Sequence, residues 1–255
     1  RGNIWWESNV AGLFPVGEVN GSHGVSRPGG ASLNAGQVGS LRAAMYIAAR
    51  RRSSPPADGI FIGACRGAVA RTLTVATKAL GNRESDRRDA DSIRFEIQQR
   101  MSRAGAHIRD TSATRAAAAE AWALLADIER VSWAADPSAL PAVFRNLDLC
   151  AAHAVYLDAI VEYLERGGQS RGSYLVVNPD GDPAIATDDR FCRFVLETPG
   201  SFVDQHILEI ALAGRQATRK EWVPVRPIPQ ADTWYESVWK AFRDGTTFDE
   251  METPT

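Results

Sequence analysis

Cysteine is scarce in this chain, neither sign of charge is in excess, and no segment repeats or collapses into low complexity. The three cysteines, Cys65, Cys150 and Cys192, lie far apart, with no CxxC and no set of Cys and His that would complete a metal site. A zinc ribbon and a disulfide-stapled scaffold are both excluded by that arithmetic, and reduced thiols point to a cytoplasmic protein. Twenty-nine basic residues stand against 31 acidic ones, a formal charge of −2. Such a balance creates no field to recruit nucleic acid. No run approaches the roughly 20 apolar residues of a membrane-crossing helix, so no direct membrane insertion is expected. His107, His153 and His206 share no ligand spacing, and Asp180 with Asp182 suits an Asx-type turn better than a calcium site. No metal is assigned. A strand–GxGxxG–helix unit is also missing; the nearest imitation, Gly59-Ile60-Phe61-Ile62-Gly63-Ala64-Cys65-Arg66-Gly67, has the wrong spacing and reads as a close-packing helix surface.

What is there is a chain of 255 residues, 44% of them hydrophobic, enough for a sizeable core. The apolar run Gly12-Leu13-Phe14-Pro15-Val16-Gly17 predicts a buried strand that needs neighbours on both sides. A glycine-rich loop follows, then a helix from about 32 to 50. A second helix is expected over 62–80, ended by Gly81-Asn82. Helical periodicity next covers 88–104, 112–132 and 138–166; in the last, Leu140, Phe144, Leu147, Ala151, Ala154, Leu157, Val161 and Leu164 form one stripe. Three such helices can bury their stripes against each other. Beyond Arg171 the tail is irregular: Ser173–Val177 is strand-like, 178–183 is dense in turn formers, 206–212 and 221–225 suit a hairpin, and Trp234, Tyr235 and Trp239 sit on a short helix. The expected class is α+β, mainly α: residues 1–84 as a strand–loop–helix domain end, 85–172 as a helical bundle, 173–255 as a tail with a hairpin.

Chemistry concentrates in Gly17-Glu18-Val19-Asn20-Gly21-Ser22-His23-Gly24-Val25-Ser26-Arg27-Pro28-Gly29-Gly30-Ala31-Ser32-Leu33. A strand, a glycine-permitted loop and a helix N-terminus together make an anion-receptive place. Glycines at 29 and 30 let backbone approach a flat ligand, and the first helical N–H groups lack intrahelical partners. Arg27 adds a planar cation suited to gripping a carboxylate at two points. Taken without any family, the stretch also fits a tight connection and nothing more.

The segment resembles the Gly-Glu…His-Gly-x-x-Arg-x-Gly-Gly-x-Ser-Leu signature of the succinate dehydrogenase/fumarate reductase flavoproteins. The likeness extends through Ile97-Gln98-Gln99-Arg100-Met101 to Gln169-Ser170-Arg171-Gly172, which stands in place of Glu-Ser-Arg-Gly, and covers most of residues 10–175. It implies FAD as cofactor, Glu18 binding a sugar-alcohol hydroxyl, and Gly30, Ser32 and Leu33 holding the pyrimidine edge. Arg27 would clamp a small carboxylate substrate, with His23 ordering the loop rather than carrying a proton. Pro28, Ala31 and Asn34-Ala35-Gly36 depart from the usual pattern, so the substrate is expected to differ. By the same resemblance the chain is the C-terminal part of a longer oxidoreductase whose FAD-binding half is a necessary partner, and without that half it should bind FAD weakly or not at all. The alternative is a helical interaction module, residues 85–170, docking an electron-transfer partner such as an iron–sulfur protein through Trp222, Trp234, Tyr235 and Trp239.

Overall fold

The structure is a computed structural model, describing residues 2–21, 29–50, 55–172, 174–188, 191–215, 217–225 and 234–246. The chain divides into two compact units: Arg1–Asp58 with Pro227–Thr255, and Gly59–Arg226. The class is α+β, mainly α, as the periodicities require.

In the first unit, residues 2–21 wrap helix α1 (Gly29–Arg50). Trp5, only 4% exposed, stacks on Tyr46 at 5.6 Å between ring centroids, with Phe14 tilted against the same ring. Trp6 lies over Gly39, where a Cβ would stand 2.7 Å from the indole; the glycine is what lets the ring lie on the helix. Trp6 itself has φ 63, a left-handed backbone that a bulky residue keeps only when its surroundings hold it there. The strand expected at 12–17 does not form: these residues lie in no strand, and Leu13 is exposed. Their described neighbours are helix and turn, which offer no ladder, and Pro15 has no N–H to donate to one. A ten-residue helix, Trp234–Arg243 (α7 below), also belongs to this unit, with Trp239 stacked on Phe242.

The second unit opens with α2 (Asp58–Gly81), longer than the 62–80 expected. Ile60, Phe61, Ile62, Val69 and Leu73 on it are exposed. Gly59, Gly63 and Gly67 have open space where a Cβ would stand, so the close packing expected of this stretch is not made within the described residues. By length and composition α2 meets the requirement for a membrane span, which the reading by consecutive apolar residues missed because Arg66 and Arg71 interrupt the run.

Three helices make the core: α3 (Ala90–Ala104), α4 (Thr111–Val131) and α5 (Leu140–Glu165). Each begins where the sequence supplies a cap. Asp89 accepts the Ser92 N–H at 2.7 Å, Asp110 accepts that of Ala113 at 2.8 Å, and Asp136 opens the 3-10 turn Pro137–Ala139 that leads into α5. Alanines at 117, 118 and 121 on α4 let its backbone approach α5, whose Ala154 and Leu157 are fully buried; Ile93, Ile97, Leu125 and Ile128 complete the layer. Burying a leucine or isoleucine side chain contributes about 1.5–3 kcal/mol.

Short strands cover one end. β1 (Ile108–Arg109) runs parallel to β2 (Leu175–Pro183), and β2 pairs antiparallel with β3 (Arg193–Phe194) through a register shift between Val177 and Asp182. The turn expected at 178–183 is therefore a bulged strand continuation. A Cβ at Gly181 would stand 2.2 Å from the Phe194 carbonyl oxygen, so the glycine serves close strand approach. After the four-residue α6 (Phe202–Gln205) comes a hairpin of β4 (His206–Ala213) and β5 (Ala217–Pro224). It is fastened to α5 by Trp222 Nε1 donating to Glu162 at 3.0 Å and Lys220 pairing with Asp158 at 3.1 Å.

Candidate functional site

The described part of the motif sits at the start of α1. Gly17 leads into a 3-10 turn, Glu18–Asn20, closed by Gly21 at φ 71, a left-handed position that suits glycine. This turn brings the Glu18 carboxylate to the first turn of α1, where the Ser32 hydroxyl donates to its Oε1 at 2.7 Å. Two residues fourteen apart in sequence thereby share one place beside a helix N-terminus.

Leu33 is 76% exposed, an apolar side chain standing free next to that pair. At Gly30 a Cβ would meet nothing within 4 Å, so the chain's own packing does not demand a glycine there. Of the sequence-derived site residues, Glu18 and Ser32 are joined directly, and Gly30 and Leu33 share their helical turn. Arg27 and His23 lie outside the described residues.

The arrangement offers a carboxylate acceptor, a hydroxyl, N–H groups that the helix itself cannot use and an apolar shelf. That set can accept from a ligand hydroxyl and donate to an oxygen-rich ligand, and the positive end of α1 would favour negative charge placed there by roughly 0.3–1 kcal/mol. Among the described residues no group of three or more His, Cys, Asp or Glu could hold a metal ion.

Further along α1 the N-terminal segment is held to the helix by an aromatic and cationic stack. The Arg42 guanidinium lies 4.8 Å over the Trp5 ring, four residues before Tyr46, which stacks on the same indole. Burial pulls the Arg42 pKa below its ordinary value. The signal was present as Trp5-Trp6 ahead of a helix carrying Arg and Tyr at i and i+4, a spacing that shares one face.

The other stretch of likeness, Gln169–Gly172, has a structural role in the second unit. The Ser170 hydroxyl accepts the Val176 N–H at 2.8 Å. Glu197 accepts from the Gln169 N–H at 2.6 Å, the Tyr163 hydroxyl at 2.8 Å and the Ser201 hydroxyl at 2.7 Å. Those three donors hold the Glu197 carboxyl below the usual range against the opposing effect of burial.

No family model matches the chain, and no curated protein matches it. Among solved structures it is similar to a mutant of E. coli quinol fumarate reductase FrdA, at 15% identity and TM-score 0.49, over 78% of this chain. The chain spans 29% of that protein's length. A likeness of that degree decides nothing about chemistry.

Proposed function

We propose that this chain is the C-terminal part of an FAD-dependent oxidoreductase that transfers a hydride between flavin and a small carboxylate-bearing substrate of the succinate or fumarate kind. The observation that carries the reading is the 2.7 Å bond between Ser32 and Glu18. It joins two residues of the flavoprotein-like motif at a helix start whose glycine and leucine face open space. Bound there, FAD would supply the two-electron chemistry.

The chain's own residues hold and orient. Glu18 accepts a hydroxyl of the polyol chain while Ser32 keeps the carboxylate in place. The N–H groups beginning α1 donate to the ring's pyrimidine edge, and Leu33 lies against it. Arg27 pairs with the substrate carboxylate, so its contribution is positioning. Pyrophosphate and adenine contacts come from the FAD-binding half that this reading requires as a partner.

The test uses the protein joined to that half. Arg27→Ala should reduce kcat at least a hundredfold while flavin content stays at wild-type level, and Glu18→Gln should lower flavin content. Turnover unchanged in Arg27→Ala removes the clamp, and full flavin occupancy in Glu18→Gln removes the hydroxyl contact.

A further inference from the structure

The three core helices meet at a buried charged cluster that plays no part in the site above. Arg100 of α3 is 6% exposed, His153 of α5 is 3% exposed, and Cys150 is fully buried beside it. A guanidinium can only donate hydrogen bonds. His153 Nε2, 3.2 Å from Arg100 Nη1, is therefore the unprotonated nitrogen, and Nδ1 carries the proton that it donates to the Cys150 carbonyl at 2.8 Å.

Other charged groups face this pair from each helix. On α3, Glu96 pairs with Arg100 and, at 2.6 Å, with Arg88. On α4, Glu120 accepts from Arg100 Nε and Arg103 Nη2, both at 3.1 Å. Three arginines, 88, 100 and 103, thus share two glutamates, 96 and 120, and Asp89 lies within electrostatic reach of Arg88. Beyond Cys150, Arg215 of the hairpin turn is itself paired with Glu129, and the Cys150 thiol, pushed up to about 12 by burial, supplies no negative charge.

We propose that the contact between His153 and Arg100 is an acid-sensitive latch: neutral imidazole clamps α5 to α3, and proton uptake opens the seam between them. A proton on Nε2 would set N–H against N–H across 3.2 Å and place a second positive charge beside the buried Arg100 guanidinium. Each carboxylate already pairs with two arginines, and no hydrogen bond joins either of them to the imidazole.

Burial first, and the Arg100 charge with it, holds the His153 pKa below its ordinary 6.5, against the opposing pull of the Cys150 carbonyl and Glu96. The unfolded or opened state thus binds more protons than the closed one. The latch is fully engaged above about pH 6.5, and its contribution is lost as pH falls toward the lower folded value. Asp158 and Glu162, which fasten the hairpin, lie further along the same α5, so release of this helix reaches the hairpin base.

Hydrogen-exchange protection of the core amides of α3 and α5, followed from pH 7 to pH 5 in the full chain, reads the latch. Protection in the wild type should fall by up to about tenfold per pH unit below 6.5. In His153→Gln, whose amide oxygen can accept from Arg100 and does not titrate, it should stay flat; an equal fall in both proteins overturns the latch. If His153→Gln does not fold, the wild-type imidazole is followed by NMR. Persistence of the neutral Nδ1–H form until protection collapses supports the proposal, and reversible protonation near pH 6.5 with protection intact overturns it.

Discussion

Replacing Ser170 with alanine removes one oxygen from a residue that is 1% exposed, and that oxygen accepts the Val176 N–H at 2.8 Å. Val176 is itself 4% exposed, so water does not reach the amide to replace the lost acceptor. A buried donor left unpaired costs about 1–3 kcal/mol, whereas the net worth of an ordinary hydrogen bond is nearer 1 kcal/mol. Alanine fits the space, so strain adds nothing, and the backbone bonds of residue 170 to Val195 and Glu197 remain. The expected loss is therefore about 1–3 kcal/mol, or a fall in Tm of roughly 2–12 °C at this chain length. Paired urea melts of wild type and Ser170→Ala, followed by circular dichroism, give the number. A difference below about 0.5 kcal/mol would mean that Val176 finds another acceptor and that Gln169–Gly172 is not pinned as described.

Three further outcomes follow from other parts of the molecule. Cys150 should resist a thiol reagent at pH 8, its thiol being buried and pushed up to about 12, whereas partly exposed Cys65 and Cys192 react; three fast thiols would contradict the packing of α5. Asp110→Ala should cost about 1 kcal/mol through loss of the α4 cap. Its hydrogen bonds from Ala113 and Ser112 hold the Asp110 carboxyl below its ordinary 3.8, so the contribution is complete above that pH and vanishes as pH falls through the lower folded value. A variant whose acid melting curve runs parallel to wild type below pH 4 contradicts the cap. Tyr163, raised above the ordinary tyrosine range by burial and by its bonds to Tyr174 and Glu197, should stay un-ionised at pH 10.5 in an ultraviolet titration of the folded chain; early ionisation would show the hydroxyl to be exposed.

The helices were legible because their caps and apolar spacing are local. The periodic runs 88–104, 112–132 and 138–166 match the observed α3, α4 and α5 to within a few residues, with caps at Asp89 and Asp110 and the Asp136 turn just ahead of them. The apolar stripe read on α5 is offset in its first half, where the buried face runs through Val143, Asn146, Cys150 and His153. A reading that places only apolar residues inside cannot find that face. Asn146 is buried because it donates to the Ala90 carbonyl at 2.6 Å and accepts from Arg94, partners more than 50 residues away. The bulged β2 was hidden for a related reason: Asn178-Pro179-Asp180-Gly181 has turn chemistry, and only the distant Arg193–Phe194 strand makes an extended path favourable. In the site, the motif assigns Glu18 and Ser32 separate contacts to one cofactor; their direct bond depends on the 3-10 turn at Glu18–Asn20, which no periodicity announces. The stack of Trp5 on Arg42 and Tyr46 joins residues some 40 apart in sequence, a contact that no local pattern announces on its own.

On the proposed function, Glu18, held in place by Ser32, accepts a hydroxyl of the cofactor's polyol chain. Flavin dissociation constants, measured by fluorescence titration of the chain joined to its FAD-binding half, test this directly through Glu18→Gln, Ser32→Ala and the double variant. Each single change should weaken binding by about tenfold, the worth of one hydrogen bond to a charged group, and the double variant should be little worse than Glu18→Gln alone because the two act as one unit. Wild-type affinity in all three proteins would contradict it.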